Sequence, residues 1–518
     1  MGVWADLPAE IAILVLRALE STADEKEAAE KLDGATRFRV NQDLVNCTYV
    51  SRQFRAIVES LLYRDIWLPG NEKITEERPF LYRLFKLTRA IVMRPMLGKY
   101  VHKLSIPSMG HNLTYDYWDV DAIISKSNTN YGDLDEINES LFELGGAATG
   151  DLEHILKALP ARGLRNGLIV RGGPCGVLIA LFHFLPRLQS LTIDVGEQLE
   201  FIALSCFGAF VGGIPAGLTS VSELLVFHEE YEIRCGFHTE EVLPFMALPS
   251  LKSFAFDAHE ADENDDVSEH LQLGIDIATT PFSILNALPS NGSINLPKFI
   301  ETPDGYALPA RSSSITTLHI GRAAVSCQLV NKILTIPSHL EKFENTTLDW
   351  GPSCHLFRPA QFLPGLLGHA STLRELVLDI DLMDSIDDDE PFIGSLSGLV
   401  ALETLRISPR VLILSVAKNG GEKTTVARNP MDKLLPPNLT SLELFLKIKE
   451  LPDLIERTGI PHSIRFTRHH IPSLISISLK GSSYYDYSDN DLVIGLAKQM
   501  PALQPPMKGS IFGVSYGD

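Results

Sequence analysis

Residues 373–378 read LRELVL, and apolar side chains occupy the first, fourth and sixth positions of this stretch. The same spacing recurs along the chain, for example in VHKLSI at 101–106, LQSLTI at 188–193 and LTSLEL at 439–444. The apolar fourth and sixth residues flank one that faces the other way, as expected for a short strand that buries one face. The motif therefore predicts a series of similar short strands.

The intervals between the copies indicate a repeat. Copies begin at residues 101, 188, 221, 251, 315, 373, 402, 439 and 474, so successive starts are separated by 87, 33, 30, 64, 58, 29, 37 and 35 residues. The short intervals cluster near thirty, and 58 and 64 are near twice that length. Leu340 and Phe343 supply a degenerate copy within the 58-residue interval, and the 87-residue interval allows two more. A period of this kind is the signature of a solenoid.

Segments with helical spacing of apolar residues lie between the copies, such as RPFLYRLFKLTRAIVM at 78–93 and FLPGLLGHAST at 362–372. A strand and a helix repeated in series predict an α/β fold, with a parallel sheet and outer helices. The arrangement resembles an irregular leucine-rich-repeat solenoid over residues 69–518. Isolated strands within ordinary α/β domains are the alternative. The chain departs from leucine-rich repeats where these carry Asn or Cys after the strand, since it has Gly196, His259, Asp381, Arg410, Lys447 and Ser482 there.

Binding specificity in a solenoid is expected on the exposed strand positions rather than on the buried ones. The motif leaves pairs of such positions in each copy, and the sequence favours no single one of them. The candidates are Gln189, Thr192, Lys252, Ala255, Arg374, Val377, Glu403, Arg406, Thr440 and Glu443.

A different pattern occupies the first 68 residues. LPAEIAILVLRAL at 7–19 and DLVNCTYVSRQF at 43–54 predict helices that are apolar over most of their circumference, and LLYRDIWL at 61–68 predicts the end of a third helix. Short helices cannot bury so much apolar surface within one small unit. We therefore expect the surplus apolar face to meet the rest of this chain or another protein.

These three blocks, in this order, resemble an F-box spanning residues 1–68, with residues 21–42 forming a longer connection than the family usually has. The resemblance implies docking on a Skp-type adaptor and, through that adaptor, on a cullin. A helical cap on the following repeats is the alternative. The residues that the resemblance assigns to adaptor binding are Leu7, Pro8, Ile11, Val15, Leu16, Leu19, Leu44, Val50, Ser51, Arg52 and Phe54.

Together, the two resemblances imply the substrate-recognition subunit of an SCF-type (Skp–cullin–F-box) ubiquitin ligase, with the repeats binding a protein substrate. The chain would then be a non-catalytic receptor, because a separate enzyme transfers ubiquitin. One alternative is a repeat-based protein-interaction scaffold with no ubiquitin-ligase role. A hydrolase or transferase built on the α/β repeats is another, and it would need a pocket of convergent polar groups.

Composition narrows the classes of partner. The net charge is -20, which repels phosphate backbones and argues against nucleic acid. No apolar run reaches about 18 residues, so no membrane span is expected. The beginning of the chain has no basic region of a signal peptide, and the six cysteines are scattered, as is typical of reduced intracellular thiols. These features predict a cytoplasmic or nuclear protein.

Two acidic segments, 257–270 and 379–390, each contain seven acidic residues and no Lys or Arg. Each follows a predicted strand, so both should be loops at the same edge of the sheet. One interpretation is a solvated loop that resists aggregation. The other is a surface that binds a basic segment of a partner. The residues that would form this surface are Asp262, Glu263, Asp265, Asp266, Asp387, Asp388 and Asp389.

Motifs for chemistry are not evident in the sequence. The chain contains no P-loop, GxSxG or HExxH motif, and the glycine-rich RGGPCG at 171–176 is more typical of a turn. Cys235 and His238, like Cys354 and His355, lack a second pair at metal-binding spacing. We therefore expect no catalytic residue, no cofactor and no metal.

Overall fold

The computed structural model shows an α/β protein with parallel strands and helices. The chain divides into two compact units. Unit 1 comprises Met1–Glu229, Leu248–Leu251 and Ala287–Pro297, and unit 2 comprises Glu230–Ala247, Lys252–Asn286 and Lys298–Asp518. The residues that the structure describes are 49, 52–68, 77–106, 178, 181–194, 216–228, 243–258, 300–302, 305–321, 327–348, 359–381, 393–412, 434–446, 473, 476–481 and 512–515.

Unit 1 contains four parallel strands in the order β1-β2-β3-β4, with helices between them in sequence. The strands are β1 (Asp65–Trp67), β2 (Lys103–Ile106), β3 (Ser190–Asp194) and β4 (Glu223–His228). The helices are α1 (Arg52–Leu62), α2 (Glu77–Met93), α3 (Pro95–Gly98) and α4 (Ala216–Ser220).

The sheet of unit 1 buries the alternating residues of the sequence motif. Leu104, Leu191 and Leu224 lie opposite one another on β2, β3 and β4, and each is at most 2% exposed. Ile106, Ile193 and Val226 form a second buried row in the same register. Each such side chain contributes about 1.5–3 kcal/mol when removed from water.

Unit 2 contains eight parallel strands in the order β5-β8-β9-β10-β11-β12-β13-β14 and a separate antiparallel hairpin, β6-β7. The strands are β5 (Ser253–Ala258), β6 (Ile300–Thr302), β7 (Gly305–Ala307), β8 (Thr317–Ile320), β9 (Lys342–Leu348), β10 (Glu375–Asp381), β11 (Thr404–Ile407), β12 (Ser441–Leu446), β13 (Ser476–Gly481) and β14 (Phe512–Ser515). The helices are α5 (Cys327–Thr335), α6 (Leu363–Leu367), α7 (Pro409–Leu412) and the 3₁₀ helices Leu243–Ala247 and Pro359–Gln361.

The core of unit 2 is built from corresponding rows of its own. The fourth motif position places Phe254, Leu318, Phe343, Leu376, Leu405 and Leu442 in one register row, and all six are buried. The sixth position forms a second row, in which Asn345 is fully buried between Ile320 and Leu378. The sequence motif therefore correctly predicted β2 to β5 and β8 to β13, and the buried residues of β2 to β5 and β8 to β12, but it did not predict β1, β14 or the hairpin.

The three long intervals between copies of the motif do not all have the same origin. The 58-residue interval contains the expected extra strand, because β9 lies between β8 and β10. The 87-residue interval places no strand between β2 and β3, since Lys103 pairs directly with Ser190. The 64-residue interval likewise adds no strand between β5 and β8 in unit 2, because these two strands pair directly. Length alone could not distinguish a missing repeat from an insertion, because both separate two neighbouring strands in sequence.

The helix boundaries near residue 60 also differ from expectation. The sequence predicted that one helix ends near Phe54 and that the next reaches residues 66–68. Instead, α1 runs from Arg52 to Leu62, and Asp65–Trp67 forms β1. The main-chain groups of Asp65–Trp67 pair with those of β2, and this tertiary pairing ends the helix.

The two acidic segments begin within strands rather than in loops. β5 extends to Ala258 and β10 to Asp381, so Asp257, Asp379 and Asp381 are strand residues. β10 is long because seven of its residues pair in register with β9. The remainder of both acidic segments lies outside the described residues.

Candidate interaction surface

The charged sheet face is the surface formed by the side chains of β8 to β12 that point away from the buried rows. In β9, Phe343 and Asn345 are fully buried, whereas Lys342 and Glu344 are half-buried on the opposite face. The charged sheet face comprises Thr317, His319, Lys342, Glu344, Glu375, Val377, Thr404, Arg406, Ser441 and Glu443, with Thr316, Glu341, Arg374, Glu403 and Thr440 directly before the strands.

Backbone hydrogen bonds hold the residues before the strands in a regular row. The N–H of Glu341 donates to the carbonyl of Thr316 at 2.8 Å, and the N–H of Arg374 donates to the carbonyl of Glu341 at 2.8 Å. Glu403 and Thr440 continue the row with bonds of 2.9 and 2.8 Å. Neighbouring strands lie about 4.8 Å apart, so long side chains of adjacent strands can reach each other.

Lys342 is the centre of a half-buried ion cluster on this face. Its Nζ lies 3.1 Å from Glu375 Oε1 on β10 and 3.5 Å from Glu344 Oε2 on its own strand. His319 Nδ1 on β8 lies 3.4 Å from the same Glu344 oxygen. A hydrogen bond from His319 and the charges of His319 and Lys342 hold the pKa of Glu344 below its ordinary value, although burial opposes this shift. Glu344 therefore stays ionised at neutral pH.

Two further ion pairs cross neighbouring strands. Arg406 Nε lies 3.2 Å from Glu443 Oε2, and Arg374 Nη1 lies 3.7 Å from Glu403 Oε1. The side chains of Arg374 and Glu403 are 66% and 53% exposed. Exposed pairs of this kind contribute little to stability, because water and salt screen them. Arg374 and Glu403 are consequently the charged groups on this face that a partner would reach most easily.

The structure sorts the predicted surface positions by exposure. Val377 was expected on the surface but is only 3% exposed, so this candidate is wrong. It lies in the same register row as Glu344 and Arg406, whose longer side chains flank it. Gln189, Lys252, Arg374 and Glu403 are exposed, whereas Thr192, Ala255, Arg406, Thr440 and Glu443 are half-buried.

Most of the predicted adaptor-binding residues lie outside the described part of the chain. Arg52, the first residue of α1, is exposed, and Phe54 also belongs to α1. The other nine, Leu7, Pro8, Ile11, Val15, Leu16, Leu19, Leu44, Val50 and Ser51, are not described. The predicted acidic partner-binding residues, Asp262, Glu263, Asp265, Asp266, Asp387, Asp388 and Asp389, also lie outside the described residues.

Helix α1 is nevertheless held against the end of α2 in unit 1 by hydrogen-bonded ion pairs. The guanidinium of Arg94, just after α2, donates two hydrogen bonds to the carboxylate of Glu59, at 2.9 and 2.7 Å. Arg55, one turn earlier on α1, donates a third at 3.0 Å. The bond from Arg94 lowers the pKa of Glu59, with further contributions from Arg55, against an opposing effect of burial. The bidentate contact between Arg94 and Glu59 fixes the relative orientation of the two side chains as well as their distance.

A hydroxyl directly before the motif forms a contact that the sequence analysis missed. Ser220 Oγ donates to the carbonyl of Leu188 at 2.9 Å, Thr372 Oγ1 to that of Leu340 at 2.8 Å, and Ser473 Oγ to that of Leu439 at 3.0 Å. In each case the acceptor is the first motif residue of the neighbouring strand in the sheet. The recurrence of Ser or Thr at this position was the signal that could have revealed these bonds.

Comparisons with known proteins add no relative. No family model, no curated protein and no solved structure matches the chain. Within the described residues, no group of three or more His, Cys, Asp or Glu side chains is placed to hold a metal ion. The helices in this part of the chain are all too short or too polar to cross a membrane. Cys327 is a fully buried thiol.

Proposed function

We propose that the chain is the substrate-recognition subunit of an SCF-type ubiquitin ligase. In this proposal, the apolar helices of residues 7–54 dock a Skp-type adaptor, which connects the chain to a cullin. The charged sheet face of unit 2, on an irregular leucine-rich-repeat-like solenoid, binds a protein substrate. The chain would work in the cytoplasm or the nucleus, where these partners are found.

The observation that carries the proposal is the junction between the two sequence patterns. The LLYR segment that resembles the end of an F-box lies at the end of α1, and the chain then enters β1 within three residues. β1 is hydrogen-bonded to β2, and the carbonyl of Arg64 accepts bonds from the N–H groups of His102 and Lys103, at 2.8 and 3.0 Å. The F-box-like segment is thus continuous with a sheet that begins the repeated strands.

The mechanism requires no bond chemistry in this chain. A receptor of this kind raises the effective concentration of a substrate lysine near the enzyme that transfers ubiquitin. A fixed connection between α1 and the first strands of unit 1 favours this role, because α1 is then held in one orientation on the strands that follow it. The Glu59–Arg94 contact and the β1–β2 pairing supply such a connection in unit 1.

Adaptor binding tests the proposal. The full chain is co-purified with a Skp-type adaptor, next to the double variant Leu7→Asp/Val50→Asp and the control variant Glu403→Lys on the charged sheet face. Wild type and the control should bind, and the double variant should lose binding, because a charge buried in an apolar interface has no partner. A folded, monodisperse wild-type chain that does not bind the adaptor would contradict the proposal.

The charged sheet face also supports the alternative of a scaffold without a ligase role, because its ion pairs would suit either kind of partner. Binding to adaptor and cullin separates the two functions. A chain that binds other proteins through this face but not the adaptor would be a scaffold.

The role of the charged sheet face is tested by reversing one charge pair. Arg374→Glu repels its neighbour Glu403, whereas Arg374→Glu/Glu403→Arg restores the internal pair with inverted charges. The yield of proteins that cross-link to this face in cells should fall at least about tenfold in both variants, because a partner meets the wrong charge in each. If the double variant recovered wild-type cross-linking, the face would serve only the stability of unit 2.

A further inference from the structure

We propose that Arg311 and His369 form an acid-sensitive latch, which holds residues 308–313, α5 and the end of α6 together at neutral pH. Uptake of a proton by His369 would release it. This inference does not depend on the proposed function. It follows from the contacts of one buried histidine.

His369 is 1% exposed, and the partners of its two ring nitrogens show which of them carries the proton. Its Nε2 lies 2.7 Å from the carbonyl of Leu334 in α5, so this nitrogen carries the proton and donates it. Its Nδ1 lies 2.9 Å from Arg311 Nη1 and 3.4 Å from the main-chain nitrogen of Leu340. Both of those neighbours are N–H donors, so Nδ1 must accept and the ring must be neutral.

Arg311 completes the latch from the other side. Its Nη2 donates to the carbonyl of Gly368, its main-chain N–H donates to the carbonyl of Thr335 at 2.9 Å, and its φ of +61° is rare for a residue with a side chain. A conformation of this kind persists only where surrounding contacts hold it. Arg311 and His369 thus connect the segment before β8, the end of α5 and the end of α6.

Protonation of the ring is incompatible with these contacts. A proton on Nδ1 would face the N–H groups of Arg311 and Leu340, so both hydrogen bonds would be lost. It would also place a second positive charge in a buried site next to a guanidinium.

The charged groups on the surrounding elements do not compensate for the new charge. The charged side chain of α5 in its last turn is Lys332, which is a cation. The segment before β9 contributes His339, whose Nε2 is engaged with Glu341 Oε1 at 3.1 Å, and β9 begins with Lys342, which pairs with Glu344 and Glu375. On the chain after His369, Arg374 pairs with Glu403.

The direction of the pH effect follows from the ring's affinity for protons. Burial holds the pKa of His369 below its ordinary value of 6.5, and the charges of Arg311 and His339 act in the same direction, although the bond to Leu334 opposes this. The open form, with an exposed ring, keeps the ordinary value and binds protons more readily. Acidification below about pH 6.5 therefore favours the open form, and the effect ends once the closed form also binds a proton.

Hydrogen exchange on the full chain tests the latch. Main-chain exchange is measured by mass spectrometry at pH 7.5 and 5.5, corrected for the intrinsic effect of pH, on peptides that cover residues 308–313, 327–340 and 363–373. Wild type should exchange up to about tenfold faster at pH 5.5, the factor set by an open-form pKa of about 6.5 with no protonation of the closed form. His369→Gln, which does not titrate, should show no such acceleration.

His102→Gln is the matched control, because His102 lies in unit 1, where its Nδ1 contacts the carbonyl of Tyr100 at 2.6 Å, and this variant should behave as wild type on these peptides. A second measurement covers the case in which His369→Gln does not fold. Hydrogen–deuterium exchange at the C2 carbon of each histidine in the wild-type chain reports the pKa of its ring. The pKa of His369 should lie below its ordinary value of 6.5. An ordinary His369 titration, or equal pH dependence in wild type and folded His369→Gln, would overturn the latch.

Discussion

Gly98 shows at the scale of one residue how closely two segments of unit 1 approach. A Cβ added at this position, the last residue of α3, would collide with the main-chain carbonyl oxygen of Phe184. The main chain cannot move aside as a flexible side chain can. Gly365 has a similar role on α6, where a Cβ would meet Leu334 Cβ at 2.8 Å and Asn331 Oδ1 at 2.9 Å on α5.

We expect Gly98→Ala to lower the free energy of unfolding by about 1–3 kcal/mol, the usual effect of overpacking a tight contact. The measurement is urea unfolding followed by the fluorescence of the tryptophans, one of which, Trp67, lies on β1 of unit 1. Lys99→Ala, the neighbouring exposed position, is the control and should change little. Equal stabilities of the two variants would mean that α3 and the segment at Phe184 are not in contact.

The Glu59–Arg94 contact predicts how the free energy of unfolding depends on pH. The lowered pKa of Glu59 means that the folded state stabilises the carboxylate, so its contribution is complete above the unfolded value of about 4.5 and is lost as pH falls through the lowered value. Glu59→Gln should cost about 1 kcal/mol at pH 7, because Arg94 is half exposed and the pair is partly screened.

Urea unfolding at pH 7 and at pH 3 measures this effect. The difference between Glu59→Gln and wild type should shrink at the lower pH, because pH 3 lies below the unfolded value of 4.5 and the unfolded chain already binds this proton. Glu403→Gln, at an exposed pair on the charged sheet face, is the control and should lower the free energy of unfolding by less than Glu59→Gln does at pH 7. If the difference in free energy of unfolding between Glu59→Gln and wild type did not depend on pH, this would contradict the Glu59–Arg94 contact.

At the level of strands and helices, a side-chain hydroxyl connects neighbouring repeats directly before three of the motif copies. Thr372 Oγ1 lies 2.8 Å from the carbonyl of Leu340 and 3.3 Å from that of His369. It therefore connects the start of β10 to the start of β9 and to the end of α6. Ser220 and Ser473 make the corresponding bond in their own repeats.

Thr372→Val keeps the shape of the side chain but removes the donor, so it should lower stability by about 1 kcal/mol. Thermal unfolding measures the loss. Thr404→Val, a half-buried position on the charged sheet face, is the control and should be nearly neutral or slightly stabilising, because valine suits a strand. An equal effect of the two substitutions would show that the hydroxyl of Thr372 has no special role.

The sequence predicted the elements better than it predicted their ends. Leu104, Leu191, Phe254 and Leu405 were identified as buried strand residues, because the spacing of apolar side chains directly reports which face meets the core. The extent of β10 to Asp381 was not predicted, since it depends on pairing with β9 rather than on local composition. The same holds for β1, which a helical pattern had obscured.

The charged sheet face was only partly predictable. Arg374 and Glu403 were identified because positions next to a buried strand residue point outward. Val377 was not recognised as buried, because its covering depends on long side chains from two other strands. The Arg311–His369 contact was not anticipated at all, since it joins residues 58 positions apart through a backbone conformation that the sequence does not reveal.

At the scale of the whole molecule, the two patterns in the sequence give one account of function. An apolar N-terminal segment that resembles an F-box leads into parallel strands whose outward face in unit 2 carries paired charges. The sequence predicts that the first part has more apolar surface than it can bury alone, and the second part offers a polar surface that a protein could contact. We propose that these two features serve an adaptor and a substrate, respectively.

Assembly of the chain into a ligase complex tests this account most directly. The purified full chain is mixed with a Skp-type adaptor and a cullin, and the molar mass of the eluting species is measured by light scattering after size-exclusion chromatography. The account predicts a single complex that contains one copy of each protein, and loss of only the chain from that complex in Leu7→Asp/Val50→Asp. A complex of adaptor and cullin that elutes without a folded, monodisperse wild-type chain would contradict it.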